Sequence, residues 1–128
     1  MKICIIDDDN TCHFIARLLI SKILVKPDIL QFFNGQEAFD FIETWQHKPE
    51  SLPSIILLDI NMPVANGWKF LDMLRKLENI YQPAIYITSS SQDQRDFSRM
   101  ETYHEVRGFL PKPVSKDILE KILLEEHC

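Results

Sequence analysis

Short runs of consecutive apolar residues recur along the chain, and they limit its fold more than any other feature. Positions 3–6 and 55–58 are entirely apolar, and less regular runs occupy 29–33, 84–87 and 108–110. Strands without alternating apolar and polar residues are typical of a parallel sheet that is covered on both faces. A stretch with helical spacing follows each run, so the pattern predicts a strand and a helix repeated five times.

The helical stretches carry recognisable start signals and apolar faces. Asp9 or Asn10 can cap the first helix, and Asn34 with Glu37 three residues later resembles a capping box. Five helices are predicted, at about 11–24, after Asn34, after Gly67, at about 92–104 and at about 116–126. The residues predicted to face the core are Cys12, Ile15, Leu19 and Ile23; Ala38, Phe41, Ile42 and Trp45; Phe70, Leu71, Leu74 and Leu77; Phe97 and Met100; and Ile118, Leu119, Ile122 and Leu123.

A chain of 128 residues is long enough for one domain with a core of its own. We therefore predict a single domain over residues 1–128, of the α/β class. Its expected architecture is a doubly wound (βα)5 arrangement, with a five-stranded parallel sheet and right-handed crossovers.

Charge and hydropathy narrow the classes of partner. Fourteen basic residues stand against nineteen acidic ones, a formal net charge of −5, which argues against nucleic-acid binding. No apolar run approaches the ~20 residues that span a bilayer. The N-terminal segment turns acidic too early for a signal peptide. We therefore expect a cytoplasmic protein that binds neither nucleic acid nor membrane.

The cysteines and histidines show no pattern typical of a disulfide framework or a metal site. Cys4, Cys12 and Cys128 are odd in number and irregular in spacing. Cys4 lies in an apolar run and is predicted to pack in the core, whereas the other two are interpreted as incidental. The four histidines are predicted to lie at the surface: His13, His47, His104 and His127.

Polar residues follow the apolar runs where the strands are predicted to end. Asp7, Asp8, Asp59, Thr88 and Lys112 take these positions. In open α/β sheets, ligands bind at the carboxyl ends of the strands. Three carboxylates brought together there repel one another, and a hard divalent cation such as Mg²⁺ relieves the repulsion. With a lysine beside them, these groups suit phosphoryl transfer to or from a carboxylate.

Each of these residues, taken alone, also has a purely structural interpretation. Aspartates before a helix often cap it or complement its dipole. Thr88 fits a turn, and Lys112 fits a solvated side chain. Asp59 is less easily explained in this way, because it closes a run of four aliphatic residues. The occurrence of all of them at four strand ends favours a functional site.

The ordered motifs of the chain resemble the receiver domain of two-component response regulators, of the stand-alone, chemotaxis-regulator-like type. The resemblance covers almost the whole chain and implies a flavodoxin-like sheet with strand order 2-1-3-4-5. It rests on Ile5-Ile6-Asp7-Asp8, Leu57-Leu58-Asp59-Ile60-Asn61-Met62-Pro63, Asn66-Gly67, Ile85-Tyr86-Ile87-Thr88 and Gly108-Phe109-Leu110-Pro111-Lys112-Pro113.

The same resemblance implies a phosphoacceptor and a metal site. Asp59 is the expected phosphoacceptor. Asp7, Asp8, Asp59 and the backbone carbonyl of Asn61 are the expected ligands of Mg²⁺, for which Mn²⁺ is a possible substitute.

The resemblance further implies a switch. Thr88 and Lys112 are expected to contact the phosphoryl group. Phe109 is expected to turn inward when the Thr88 hydroxyl moves, and the Lys112–Pro113 peptide bond is expected to be cis.

Partners follow from the resemblance in general terms only. The phosphodonor is expected to be a histidine kinase or a histidine phosphotransfer protein. The fourth helix, fifth strand and fifth helix are expected to engage a downstream protein or to form a phosphorylation-dependent homodimer. About fifteen residues follow Pro113, which leaves no room for an output domain, so the chain is expected to be either a stand-alone receiver or a piece of a longer protein, and Met1 favours the first. It would not be a conventional enzyme, beyond Mg²⁺-dependent self-phosphorylation from a phosphodonor and slow autodephosphorylation.

Two other classes of protein fit part of the pattern. Asp7-Asp8-Asp9-Asn10-Thr11 resembles the motif of haloacid-dehalogenase-like phosphatases, with Asp7 as nucleophile and Asp9 as acid and base. That reading leaves Asp59 unexplained. A flavodoxin-like FMN-binding module would need a hydroxyl- and glycine-rich phosphate loop after the first strand, where this chain has three aspartates.

Overall fold

Five parallel strands form one sheet in the order β2-β1-β3-β4-β5. The computed structural model describes residues 1–62, 64–77, 81–90 and 94–127. The predicted α/β class, parallel sheet and strand order are confirmed. The strands are β1 (Lys2–Ile6), β2 (Asp28–Phe32), β3 (Ile55–Asp59), β4 (Ala84–Ser89) and β5 (Val106–Pro111).

Helices connect the strands and cover both faces of the sheet. They are α1 (Asn10–Ile23), α2 (Gly35–Trp45), α3 (Gly67–Arg75), α4 (Gln94–Met100) and α5 (Lys116–His127), with a 3₁₀ turn at Pro49–Ser51. The structure ends α4 earlier than the predicted His104. Its last carbonyls accept hydrogen bonds from Thr102 and Tyr103, each three residues further on, so the chain tightens and leaves the helix. Four predicted features lie outside the described residues: Gln92 as the start of this helix, Pro63, Cys128 and the side chain of His127.

Side-chain caps start the first three helices. Asp9 caps α1, Asn34 caps α2 and Asn66 caps α3, each accepting a backbone N–H two or three residues later at 2.8–2.9 Å. The side chain of Glu37 accepts the N–H of Phe33 at 3.2 Å, so the capping box closes one residue earlier than its usual form.

Alternate strand residues enter two cores, one on each face of the sheet. The face covered by α1 and α5 is centred on Ile3, Ile5, Ile20, Leu57, Leu119 and Leu123. The face covered by α2 and α3 is centred on Cys4, Ile6, Ile42, Ile56, Leu58 and Phe70. Cys4 is fully buried as predicted.

Several predicted inward faces are wrong in detail. Trp45 and Ile118 are 39% and 40% exposed. In α1 the buried residues are His13, Ala16 and Ile20, so the prediction that His13 lies at the surface is also wrong. The prediction followed the largest apolar residues, but the buried face of the helix lies one position along from them. The predicted stripe is only half-buried: Cys12, Ile15, Leu19 and Ile23.

Gly67 lies where the loop after β3 folds back against the end of that strand. A Cβ atom here would lie 2.8 Å from both the carbonyl oxygen of Asp59 and the Cα of Ile60. The N–H of Gly67 donates to the carbonyl of Ile60 at 3.2 Å. Because the crowded atoms belong to the backbone, side-chain rotation cannot make room, and glycine permits the close approach that shapes the loop beside Asp59.

The Gly67→Ala variant is therefore expected to lower the free energy of unfolding by about 1–3 kcal/mol, measured by urea denaturation. Gly108→Ala is the matched control, since its Cβ would meet only side-chain atoms of Tyr86, at 3.3 Å. That ring can shift, so the control should stay within about 1 kcal/mol of the parent. Equal losses in the two variants would contradict the backbone-contact argument.

Candidate functional site

The polar residues singled out in the sequence meet at the carboxyl edge of the sheet. Asp7 directly follows β1, Asp59 ends β3, and Thr88 lies in β4 directly opposite Asp59 in the strand register. Lys112 directly follows β5. The edge forms because all five strands are parallel, so every strand ends on the same side of the molecule.

Three carboxylates form a cluster at this edge. One oxygen from each of Asp7, Asp8 and Asp59 lies within 4.8 Å of the others. Asp7 and Asp59 are buried, at 3% and 4% exposure, whereas Asp8 is exposed. Asp9 is not part of this cluster; its side chain accepts the N–H of Thr11 as the cap of α1. The acid and base role that the phosphatase alternative assigns to Asp9 therefore gains no support from its position.

Lys112 supplies the positive charge of the cluster. Its Nζ lies 2.7 Å from Oδ2 of Asp7 and 3.5 Å from Oδ2 of Asp59. Burial lowers the pKa of this lysine, but the hydrogen bond to Asp7 and the charge of Asp59 outweigh that effect and raise it. The ammonium group is therefore charged at neutral pH.

Asp59 resists ionisation in this setting. Burial, opposed by the charge of Lys112 and reinforced by the charge of Asp7, raises the pKa of its carboxyl to about 6. The N–H of Asn61 donates to Oδ1 of Asp59 at 3.2 Å and favours the ionised form. Asn61, whose backbone carbonyl is a predicted metal ligand, is itself exposed.

The donor set fits a hard divalent cation. Three carboxylates and one ammonium group leave a formal charge of −2, which one divalent cation would balance. All three donors are oxygens, the ligand type that Mg²⁺ and Mn²⁺ take in proteins. Burial is the main cause of the raised pKa of Asp59, and a cation bound beside this carboxyl would favour its ionised form.

The predicted switch residues lie next to the cluster and extend away from it. Thr88 is buried beside Asp59 in the register. Phe109 on β5 is half-buried, and its ring meets that of Phe97 on α4 edge-on, with centroids 4.8 Å apart. The Lys112–Pro113 peptide bond is cis.

A cavity of about 300 Å³ opens beside the cluster, and Cys12 lines it together with Asp7, Thr88 and Lys112. Cys12 is thus closer to the site than its sequence position indicated. Burial, followed by the charge of Asp7, raises the pKa of its thiol, so it is protonated at neutral pH. We assign it no chemical role.

His13 is the site neighbour that the sequence reasoning missed. It is 1% exposed, and its Nε2 lies 2.8 Å from the carbonyl oxygen of Asp7. Its spacing from Ala16 and Ile20, three and seven residues later, is the signal that could have identified it as buried.

The comparisons with known proteins agree on one family. A model of the response regulator receiver domain matches residues 3–124. The chain is 25% identical over 124 residues to the probable methanogenesis regulatory protein FilR2 of Methanothrix harundinacea, covering 96% of this chain and 79% of the relative. Of several other curated relatives the chain spans only 10–33%.

Solved structures show the same fold. A two-component response regulator from Cytophaga hutchinsonii superposes with a TM-score of 0.86 at 26% identity, over 98% of this chain and 96% of that one. The Mn²⁺-bound form of response regulator Rcp1 superposes with a TM-score of 0.75 at 18% identity, over 97% of this chain and 89% of the other. At that identity the second likeness concerns the fold alone. In the part of the chain that the structure describes, no helix is long and apolar enough to cross a membrane.

Replacing Asp59 by Asn is expected to stabilise the metal-free chain at neutral pH. The folded-state pKa of about 6 lies above the ordinary 3.8, so the carboxyl favours folding only while it is protonated. That contribution is complete below about pH 4 and is lost as the pH rises through 6. In EDTA, the free energy of unfolding of Asp59→Asn should therefore be about 1–2 kcal/mol higher than that of the parent at neutral pH. Near pH 4 the two free energies should be equal.

Urea denaturation at the two pH values measures this difference. Asp9→Asn is the control, because it removes the same charge at an exposed cap outside the cluster. An Asp59→Asn chain that is less stable than the parent at neutral pH would contradict the account.

Proposed function

This chain belongs to the response regulator receiver domain family, and we propose that it accepts a phosphoryl group on the carboxylate of Asp59. The placement of Asp59 carries the proposal. This carboxylate is buried at the end of the central strand, opposite Thr88, with the ammonium group of Lys112 at 3.5 Å. A nucleophile, a hydroxyl-bearing residue and an ammonium group therefore lie together at the ligand-binding edge of the sheet.

The phosphodonor is the phosphohistidine of a histidine kinase or of a histidine phosphotransfer protein, and the transfer takes place in the cytoplasm. A carboxylate oxygen of Asp59 bonds to phosphorus while the bond from phosphorus to the imidazole nitrogen breaks. The imidazole leaves with the electron pair and takes up a proton. Lys112 stabilises the negative charge on the phosphoryl oxygens, and it favours the ionised form of Asp59 that the attack requires.

Asp7, Asp8, Asp59 and the backbone carbonyl of Asn61 are the proposed ligands of Mg²⁺. The clustered carboxylate oxygens support this assignment, as does the shared fold with the Mn²⁺-bound regulator, which makes Mn²⁺ a suitable substitute. When bound, the cation balances the carboxylates and stabilises charge on the transferring oxygens. This chain's residues hold the acceptor oxygen in place.

The acyl phosphate is proposed to hydrolyse slowly without a partner. Asn61 and Ser90 are exposed, and we propose that they flank the route by which water would reach the phosphorus. Neither side chain is acidic, so neither activates the water as a base. We therefore expect the lifetime of the phosphorylated form to be neither very short nor very long.

Phosphorylation is proposed to change the surface formed by α4, β5 and α5. The Thr88 hydroxyl moves toward the phosphoryl oxygens, and Phe109 turns into the space beside it. The edge-on contact of Phe109 with Phe97 supports this route, because a rotation of one ring displaces a side chain of α4. The altered surface then binds a downstream protein or a second copy of the chain.

The first prediction from this function is a covalent adduct. With acetyl phosphate and Mg²⁺, the intact chain should gain one phosphoryl group, and EDTA should abolish the gain. Asp59→Asn should gain none, because the attacking carboxylate is missing. Intact-mass spectrometry measures the result.

Two variants sharpen this test. Asp9→Asn should be phosphorylated like the parent, since Asp9 is only a helix cap. A phosphatase that uses Asp7 would instead keep its activity in Asp59→Asn and lose it in Asp7→Asn. No adduct on a folded parent chain, with either acetyl phosphate or phosphoramidate, would contradict phosphoryl acceptance from small donors.

A second prediction concerns the switch. Trp68 on α3 stacks on Tyr103 with centroids 5.4 Å apart, and the guanidinium of Arg99 on α4 lies 4.9 Å from its ring centroid. In a Trp45→Phe background the remaining tryptophan therefore reports on α4. Phosphorylation should change its emission, and Thr88→Ala should take up phosphate while losing more than half of that change.

Fluorescence and intact mass recorded on the same sample separate modification from switching. Thr44→Ala is a control hydroxyl deletion, since that side chain donates only to a carbonyl of its own helix. A full fluorescence change in phosphorylated Thr88→Ala would exclude Thr88 as the link to α4.

A further inference from the structure

His13 is a buried polar side chain whose hydrogen bonds reach two strands next to the carboxylate cluster. Its Nε2 lies 2.8 Å from the carbonyl oxygen of Asp7 and 3.1 Å from that of Phe32. Its Nδ1 lies 3.0 Å from the side-chain nitrogen of Gln31. The imidazole therefore joins α1 to the ends of β1 and β2.

The partners define the tautomer. Both contacts of Nε2 are carbonyl oxygens, which only accept hydrogen bonds, so Nε2 carries the hydrogen and shares it between them. Nδ1 is then the acceptor for the amide of Gln31. A ring that is bonded at both nitrogens has a fixed orientation.

The imidazole gives the carbonyl of Asp7 the hydrogen bond that a neighbouring strand would otherwise supply. The paired register of β1 and β2 ends at Ile6 and Phe32. Asp7 still donates its N–H to the carbonyl of Phe32 at 3.1 Å, but its own carbonyl lies beyond the paired residues. The Nε2–H of His13 donates to the carbonyl oxygen of Asp7. The same N–H also lies near the carbonyl oxygen of Phe32, so one donor bridges the two oxygens.

We propose that His13 is a positioning residue that fixes the backbone of Asp7, and through it the cation affinity of the site. The inference rests on the proposed function for the identity of the site. Asp7 is a buried member of the carboxylate cluster, and it also carries the short contact to Lys112. Some residues hold a metal ligand by a hydrogen bond without touching the metal. Replacing such a residue typically lowers the metal affinity 10–100-fold.

Packing is the competing explanation for the burial of His13. Its ring lies 4.4 Å from that of Phe33 between centroids, so the side chain also fills space. A packing role affects the free energy of unfolding of every variant that fits poorly. It does not predict a loss of cation affinity in a folded chain, nor a recovery when a hydrogen-bond donor is restored.

The test measures cation binding directly. Mn²⁺ binding by the unphosphorylated chain is followed by the loss of the free-ion signal in electron paramagnetic resonance, with Mg²⁺ as competitor. His13→Leu removes the donor and fills the space with an apolar side chain, and it should raise the Kd about tenfold. His13→Gln carries an amide N–H at a similar reach, and it should stay within about threefold of the parent.

Phosphorylation supplies the second readout. In His13→Leu the Mg²⁺ concentration for half-maximal phosphorylation should rise about tenfold, while the rate at saturating Mg²⁺ is almost unchanged. Urea denaturation of each variant measures the folded fraction separately. Should His13→Leu fail to fold, Gln31→Leu decides, because it keeps the imidazole and removes only the partner of Nδ1; a Kd raised about threefold or more is then expected.

The outcomes separate this role from the proposed function. The role of His13 would be overturned if the parent binds Mn²⁺ and a folded His13→Leu or Gln31→Leu chain binds it with the same Kd. That outcome would leave phosphoryl acceptance intact. A folded parent chain that binds no Mn²⁺ at millimolar concentration would overturn the metal site and this role together. A tenfold loss in His13→Leu that His13→Gln does not recover would overturn the role of the Nε2–H donor, since a restored donor would then not restore the cation affinity.

Discussion

The repulsion between two buried carboxylates, Asp7 and Asp59, is the constraint on which the rest of the site depends. The same arrangement of contacts offsets this repulsion at both carboxylates. One oxygen of each carboxylate accepts a backbone N–H two residues further on, at 2.9 Å for Asp7 and 3.2 Å for Asp59. The other oxygen of each faces the Nζ of Lys112. A single ammonium group cannot balance both charges, and the remaining negative charge suits the edge to the divalent cation proposed above.

Much of this arrangement could be predicted because it depends on short-range patterns. The apolar runs at 3–6 and 55–58 define strands that are buried on both faces, and a parallel sheet then brings Asp7 and Asp59 to one edge whatever the details of packing. Caps such as Asn34 are equally local, since the partner N–H lies three residues away. The strand order itself came from the resemblance to a family, because apolar runs do not specify which strands are neighbours.

The features that sequence reasoning missed depend on contacts between distant parts of the chain. His13 is buried because Phe32 and Gln31, about twenty positions later, supply partners for its ring. In the last helix, Ile118 is exposed because Leu119 and Leu123 take the positions nearest the sheet. A pattern that ranks residues by hydropathy places the isoleucine inside and the histidine outside, and both assignments fail for the same reason: burial follows position on the helix and the available partners.

In the proposed switch, the attachment of α4 would determine how far a change at Asp59 reaches. This helix holds no fully buried residue. Its contacts include Phe97 with Phe109, Arg99 over the ring of Trp68 and the half-buried Met100 against the core, and Tyr103 beyond its end stacks on the ring of Trp68. Contacts of these kinds contribute about 0.5–1.5 kcal/mol each, and a charge-assisted hydrogen bond from Thr88 about 1.5–3 kcal/mol. A complete reversal of a two-state equilibrium requires about 5.5 kcal/mol. The proposed hydrogen bond is comparable in free energy to single contacts of α4, but by itself it would be too weak to drive the whole change. The rest must come from Lys112, from a bound partner, or from an active arrangement that the unphosphorylated chain already samples.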